Sequence, residues 1–369
     1  MSKNDLPAPP PSPRLEGLPR YGRGRAGQAE IFCHRLGSNE APDGPAPAVL
    51  EAALAALQSG NRYPDLRGEA LMEALARRHG LKEGMVAVAA GSIVLLDQII
   101  RAWCDPGDEI VTPWRSYEAY PIIAGLAGAR LVEVPLDADC RADPAAILQA
   151  VGPHCRVVIL CNPNNPTGTA LEPAELDALI AALPAHVLVV LDEAYADYAQ
   201  DAQTVANSPA TRLRRHGNLA ILRTFSKAWG LAGLRVGYCL ASVQVIDALN
   251  AVAPPFPLPG PVVAAALAAL AANKAVEQRV ERNAAERRLM SAGLRDLGLE
   301  VAHSQANFLW LPLGDRAEDL TAHFRNAGIA IRCFPGEGIR ITTGTDDDTR
   351  VILAAAASWR GLQKEIEAK

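Results

Sequence analysis

The chain reads as an α/β protein: a large domain on a mainly parallel seven-stranded sheet, followed by a small α+β domain. Three observations carry that reading. From about 45 to 241, short apolar runs alternate with amphipathic stretches, the strand–helix rhythm of a parallel sheet. Pro254-Pro-Phe-Pro-Leu-Pro-Gly-Pro261 then interrupts the rhythm, because neither a helix interior nor a central strand tolerates such a proline cluster. Beyond it, short strands and helices alternate over a smaller span. A length of 369 residues also exceeds what one ordinary core holds.

The expected strands of the large sheet are 85–90, 109–112, 130–134, 156–161, 187–192, 220–224 and 236–241. The runs 157–160 and 187–191 are apolar at every position, as strands buried on both faces must be. Helices fill the intervals, among them 68–79, 93–102, 116–127 and 173–183. After the proline cluster, 262–297 is rich in Ala, Leu, Glu and Arg and predicts one long helix. Strands at 308–311, 330–333 and 339–343 and helices at 317–326 and 346–362 complete the small domain. The expected partition is an arm at 1–44, a large domain at 45–253 and a small domain at 254–369.

Composition narrows the function classes. Lys plus Arg number 36 and Asp plus Glu 41, a net charge of −5 that offers no attraction to nucleic acid or an anionic membrane. No apolar run approaches membrane-spanning length, and the N-terminus lacks a signal core. Residues 1 to about 20 are rich in proline and polar groups, which predicts a loosely ordered arm. The seven cysteines (Cys33, Cys104, Cys140, Cys155, Cys161, Cys239, Cys333) show no metal spacing, and several sit in apolar strands as small hydrophobes. That usage predicts a reducing, cytoplasmic setting. No histidine pair has ligand spacing, so no metal is expected.

The chemistry centres on Thr224-Phe-Ser-Lys-Ala-Trp-Gly-Leu-Ala-Gly-Leu-Arg-Val-Gly237. Lys227 is the only lysine between Lys82 and Lys274, and it follows the apolar run 219–222. Partial desolvation favours its neutral amine, a nucleophile toward aldehydes. Thr224, Ser226 and Arg235 add hydroxyls and a fixed positive charge, which suit a phosphate. A phosphorylated aldehyde, pyridoxal 5'-phosphate (PLP), satisfies both demands. A surface lysine beside a solvated arginine is the plainer alternative for this segment taken alone.

Two further segments strengthen the PLP reading. Cys161-Asn-Pro-Asn-Asn-Pro-Thr-Gly168 is a buried strand entering a tight loop, and ligands bind at such carboxyl ends in open α/β sheets. In His186-Val-Leu-Val-Val-Leu-Asp-Glu-Ala-Tyr195, Asp192 ends a buried strand, where a carboxylate needs a partner. A protonated pyridine nitrogen is such a partner. A turn and a helix cap are the ordinary readings of these two segments.

Asn165-Pro-Thr-Gly168, Asp192-Glu-Ala-Tyr195 and Ser226-Lys227 with Arg235, in this order, resemble the fold-type I PLP-dependent aminotransferases. The similar branch is that of histidinol-phosphate aminotransferases and their aromatic aminotransferase relatives, over nearly the whole chain from Tyr21. The resemblance implies that Lys227 binds the PLP aldehyde, Asp192 the pyridine nitrogen, and Tyr195 and Asn165 the phenolic oxygen. It gives Thr224, Ser226, Arg235 and the turn Gly91-Ser92-Ile93 to the phosphate, and Tyr117 to the ring face. Tyr63 is implied to reach the phosphate of the neighbouring subunit, hence a homodimer, to which the N-terminal arm would also contribute. Arg340 is implied to clamp the substrate carboxylate, with Asn39 and Tyr21 on the substrate side.

The implied reaction is ping-pong transfer of an amino group to a 2-oxo acid such as 2-oxoglutarate, with histidinol phosphate as the first choice of donor. An aromatic amino acid such as phenylalanine, or an amino acid of specialised metabolism, is the alternative. Threonine-phosphate decarboxylases and some lyases share the motifs. A regulator on this fold would need an appended DNA-binding domain, for which the chain shows no basic stretch. Where the histidinol-phosphate branch carries an acid after Gly-Ser, this chain has Ile93, and its 113–120 wording resembles the aromatic branch. Arg332 is expected either to meet a second acidic group of the substrate or to form a structural ion pair. His34 and His303 are candidates for the pocket border, and Arg212, Arg214 and Arg215 for a solvated loop.

Overall fold

A computed structural model describes residues 9–12, 15–21, 32–199 and 208–367. Much of the expected N-terminal arm (1–8, 13–14 and 22–31) lies outside the described residues. The large sheet has seven strands in the order Val86–Ala89, Gly237–Ala241, Leu219–Thr224, Leu188–Asp192, Cys155–Cys161, Glu109–Trp114, Arg130–Pro135. Gly237–Ala241 runs antiparallel to both neighbours, and every other pairing is parallel.

Side-chain alternation divides each central strand between two cores, because successive residues point to opposite faces. Val189 and Leu191 enter one cluster with Leu176, Leu179 and Phe225. Leu188 and Val190 enter the other with Leu96, Ile99 and Tyr120. Both faces are covered, which is why these runs are apolar at every position. The same parity directs the strand ends. Asp192 follows Leu188 and Val190, Cys161 follows Val157 and Ile159, and Thr224 follows Ala220 and Leu222, so all three point to the face that holds Tyr120. Cys161 and Asp192 are register partners, and Asp192 pairs with Leu222 one strand over.

A three-stranded antiparallel sheet, Arg332–Phe334, Gly338–Thr342 and Phe308–Leu311, forms the second unit. Its core joins Leu309, Ile339 and Ile341 to Phe324, Ile352 and Trp359 of the flanking helices. The two-residue strand His34–Arg35 pairs in parallel with Ile329–Ala330 and brings the segment before Asn39 to this unit.

Several sequence expectations change. The long helix at 262–297 is two helices, Gly260–Ala271 and Asn273–Asp296, bent by 73°. Ala272, at φ −93° and ψ 34°, leaves the helical region. The first helix packs into the large core with Val49 and Leu71, while the polar second helix turns away toward the small sheet. The domain boundary placed at 254 therefore precedes a helix that still belongs to the large core. The helix expected at 116–127 spans only Tyr120–Ala127, because Pro121 fits the first turn and not an interior. The strand expected at 330–333 is split between two sheets.

The basic cluster at Arg212, Arg214 and Arg215 is not a solvated loop. It lies on the helix Pro209–Arg215, and Arg212 is buried. Arg212 bonds Asp177 at 3.0 Å and the buried Glu193 at 3.1 Å, while Arg223 bonds Glu193 at 2.8 Å. Two guanidinium groups thus offset one carboxylate immediately after Asp192. Removing one partner of a buried ion network leaves charge uncompensated, at a cost of about 3–5 kcal/mol. Glu193→Ala is expected to lower stability by that order in urea denaturation, against less than about 1 kcal/mol for Asp347→Ala, whose pair with Arg350 is exposed. Equal effects would show that the buried network is not what holds this end of the sheet.

Candidate active site

The residues at the carboxyl ends of the parallel strands converge on Lys227. Its Nζ donates to the carbonyl of Ser38 at 3.2 Å and stands 5.6 Å from the centroid of the Tyr195 ring. Burial, then the positive charge of Arg340, pulls the Lys227 ammonium down from 10.5 to about 7. The amine is therefore substantially neutral near neutral pH, which the sequence context anticipated.

Asp192 is held from one side by Tyr120, whose hydroxyl donates to Oδ2 at 2.8 Å, and from the other by the N–H of Ala194 at 3.2 Å from Oδ1. Burial pushes its carboxyl up from the usual carboxylate range, and those two donors only partly oppose the shift. A cation placed against it would restore ionisation. Tyr117 meets Tyr120 edge-on at 5.6 Å between centroids, and Tyr21 meets Tyr117 at 6.2 Å. Tyr21, although 56% exposed, therefore reaches the group.

Thr224, Ser226 and Arg235 form a second, phosphate-sized group. Thr224 Oγ1 donates to Ser226 Oγ at 3.0 Å, and Arg235 Nη1 donates to Ser226 Oγ at 3.2 Å. Arg235 holds φ 55°, a left-handed conformation that turns its side chain back toward the loop. Gly91 and Ser92 open the helix Ser92–Trp103, which no side chain caps, so its first N–H groups are left for another acceptor. A Cβ on Gly91 would stand 2.5 Å from Arg235 Nη2, and one on Gly237 would stand 2.0 Å from the backbone nitrogen of Ser92. Glycine at 237 lets that strand lie against the backbone of the helix start, and Gly91 holds φ 96°, a conformation that L side chains rarely adopt. Ile93 turns its side chain into the neighbouring apolar cluster and leaves the backbone free.

On the small-sheet side, Arg340 is buried and donates to Asn165 Oδ1 and to the carbonyl of Gly37. Its Nε is buried with no partner among the described residues. Asn39 donates to the Tyr195 hydroxyl at 2.9 Å and binds Thr342 through both backbone and side chain at 3.0 Å. The structure thus brings together Lys227, Asp192, Tyr195, Asn165, Arg340, Asn39, Tyr117 and Tyr21, with Thr224, Ser226, Arg235, Gly91 and Ser92 alongside.

Other candidates fall elsewhere. Arg332, cross-strand partner of Arg340, bonds Glu118 at 2.7 and 2.8 Å, so of its two expected roles the structure shows an ion pair. Tyr63 is 83% exposed and stacks on Phe256 at 4.6 Å. His34 bonds Asp348 at 2.6 Å. His303 lines a separate cavity. Sequence reading assigned no role to Tyr120, Glu118 or the carbonyls of Gly37 and Ser38. Tyr120 ends the 113–120 segment, but no spacing rule pairs it with an acid 72 residues later. Among the described residues, no group of three or more His, Cys, Asp or Glu could hold a metal.

These residues fit PLP. A neutral amine meets its aldehyde, a buried acid lacking a cation meets its ring nitrogen, and hydroxyls, an arginine and a free helix start meet its phosphate. The uptake of PLP by the coenzyme-free protein should follow the neutral fraction of Lys227. Its rate is expected to rise with pH through about 7 and then level off. Arg340→Gln removes a charge that lowers this pKa, so the profile should move to higher pH. A wild-type midpoint near 10.5 would show an ordinary lysine.

Comparison with known proteins agrees. Residues 33–356 match the family model for aminotransferase class I and II. The chain is 44% identical over 346 residues to an aromatic amino acid aminotransferase of Thermobifida fusca, covering 94% of this chain and 96% of that one. It is 41% identical over 347 residues to one of Streptomyces avermitilis, with the same coverage. The histidinol-phosphate aminotransferase of Sinorhizobium meliloti, solved with PLP, superposes with a TM-score of 0.83 at 33% identity, covering 90% of this chain and 92% of that one. The aspartate aminotransferase of Thermus thermophilus with maleate gives 0.78 at 25% identity, covering 89% and 92%. Fold, site and relatives together place this chain in the class I and II aminotransferase family, as a PLP-dependent aminotransferase of fold type I.

Proposed function

We propose that the protein transfers the amino group of an aromatic amino acid to a 2-oxo acid. The observation that carries this choice is the Arg332–Glu118 pair. A substrate with a phosphate or a second carboxylate needs a second free cation near Arg340. The cross-strand neighbour that could supply one is already neutralised by an acid. An uncharged ring needs no such cation, and the Tyr21 and Tyr117 rings offer it edges and faces. The named relatives favour the same reading over histidinol phosphate, the first choice from sequence.

When bound, PLP supplies an electron sink that makes the α-hydrogen of an amino acid acidic. Lys227 Nζ, whose pKa burial draws down to about 7, would take that proton and return it. Asp192 would keep the coenzyme nitrogen protonated, with Tyr120 fixing the carboxylate. Asn39 fixes the Tyr195 hydroxyl, and both would orient the oxygen end of the ring together with Asn165. Arg340 would take the substrate carboxylate on a guanidinium with an unused Nε. Thr224, Ser226, Arg235 and the start of Ser92–Trp103 would anchor the phosphate.

This reading includes a homodimer. Leu50, Leu54 and Leu57 recur at helical spacing on Pro47–Leu57 and are exposed, as are Tyr63 and Leu66. A second copy covering that face would bring Tyr63 toward the other site.

In a half-reaction followed by coenzyme absorbance, phenylalanine and tyrosine are expected to convert the enzyme. Histidinol phosphate should react at least about tenfold less efficiently, a difference of roughly 1.4 kcal/mol. The reverse order would refute the aromatic assignment. Glu118→Gln frees Arg332 and should improve histidinol phosphate relative to phenylalanine. An unchanged ratio would remove Glu118 from specificity. Lys227→Ala should lower turnover by about 10⁴-fold, the upper range for a positioned acid–base group, and near-normal turnover would deny it that role.

A further inference from the structure

A cavity of about 440 Å³ opens beside the helix Asn273–Asp296, away from the Lys227 site. Arg288, Ser291 and Arg295 line it at spacings of three and four residues along one helical face, with Arg287 beside Arg288, and His303 lines it from another segment. Among the described residues, no carboxylate pairs with any of the three arginines. Arg287 is only 8% exposed. One of its nitrogens donates to the carbonyl of Ala306 at 2.6 Å, and Arg295 donates to the carbonyl of Val301 at 2.8 Å. Nearby Glu286 is engaged by Thr349 at 2.7 Å. Elsewhere in this protein the buried Arg212 and Arg223 are matched by acids. Uncompensated charge here is costly, and the cost falls when an anion enters.

We propose that this cavity is a binding site for a phosphate-bearing small molecule, held by Arg287, Arg288 and Arg295. Three guanidinium forks suit a doubly charged oxyanion, and the Ser291 hydroxyl and His303 ring add polar contacts. The volume falls within the range of small-molecule pockets and exceeds the needs of a bare phosphate. Burial, reinforced by the charge of Arg288, draws the Arg287 guanidinium down to about 10, a shift that an entering anion reverses.

The site is wired to the catalytic loop. Arg287 grips Ala306, and Ala306 N–H donates to Ser304 Oγ at 3.1 Å. The adjacent Gln305 N–H donates to the carbonyl of Gly168 at 2.7 Å. Gly168 closes the loop that carries Asn165, and Asn307 donates to the carbonyl of Asn39 at 3.2 Å. An anion on Arg287 therefore acts on the segment that ties Asn165 and Asn39 together.

The test uses the PLP-loaded enzyme at constant ionic strength. Calorimetric titration with inorganic phosphate and with glucose 6-phosphate is compared for wild type, Arg288→Glu and Arg295→Glu. Both changes are at exposed positions outside the catalytic group, so the coenzyme spectrum and phenylalanine turnover should be retained. Saturable binding is expected in wild type, weakened roughly tenfold or more in each variant. Tighter binding of the ester identifies a metabolite site, and equal binding identifies free phosphate. Absence of saturable binding, or undiminished binding in both variants, overturns the proposal, the latter by assigning the anion to the catalytic pocket.

Discussion

Asp192 is a carboxylate at the end of a strand buried on both faces, and the site is built around satisfying it. Two internal donors, Tyr120 and Ala194 N–H, hold it without supplying a positive charge. Lys227 cannot fully supply that charge, because burial and Arg340 favour its neutral form. A carboxyl whose ionisation burial disfavours and an amine whose charge burial disfavours thus face one space. Each is disfavoured in its charged form by desolvation, and one coenzyme would relieve both, its ring nitrogen suiting the acid and its aldehyde the amine.

The surrounding architecture keeps these groups from relieving each other. Parity along three adjacent strands aims Cys161, Asp192 and Thr224 to one face. Glu193, next in sequence, is bound by Arg212 and Arg223, which offset its charge, although it still adds to the upward shift of the Asp192 carboxyl. The small sheet supplies Arg340, whose hydrogen bond to Asn165 spans the two units, while its bond to the Gly37 carbonyl holds it within its own. The two units therefore meet at one seam beside Lys227, and movement between them would be felt by Arg340 and Asn165 together.

Charge pairing also separates the two basic regions of the molecule. Around the catalytic seam, Arg332 is paired with the carboxylate of Glu118, while the buried Nε of Arg340 has no partner among the described residues. On the outer side of the helix Asn273–Asp296, three arginines stand without acids among the described residues. The first arrangement leaves one acid-paired and one acid-free arginine beside the catalytic group, and the second concentrates positive charge on a face the catalytic group does not use.

The sequence by itself determined the two-unit α/β plan and the chemical heart of the site. Alternation of apolar runs is a local property that dictates strands, and Asn165, Asp192, Lys227 and Arg235 each sit in a short segment whose residue types suit one ligand. Tertiary structure decided whatever depends on contacts between distant segments. It bent the 262–297 region at Ala272, because one half must enter the large core and the other must reach the small sheet. It buried Arg212, paired His34 with Asp348, gave Asp192 its Tyr120 partner, and chose the ion pair for Arg332. Such pairings join residues tens to hundreds of positions apart, and only packing fixes them.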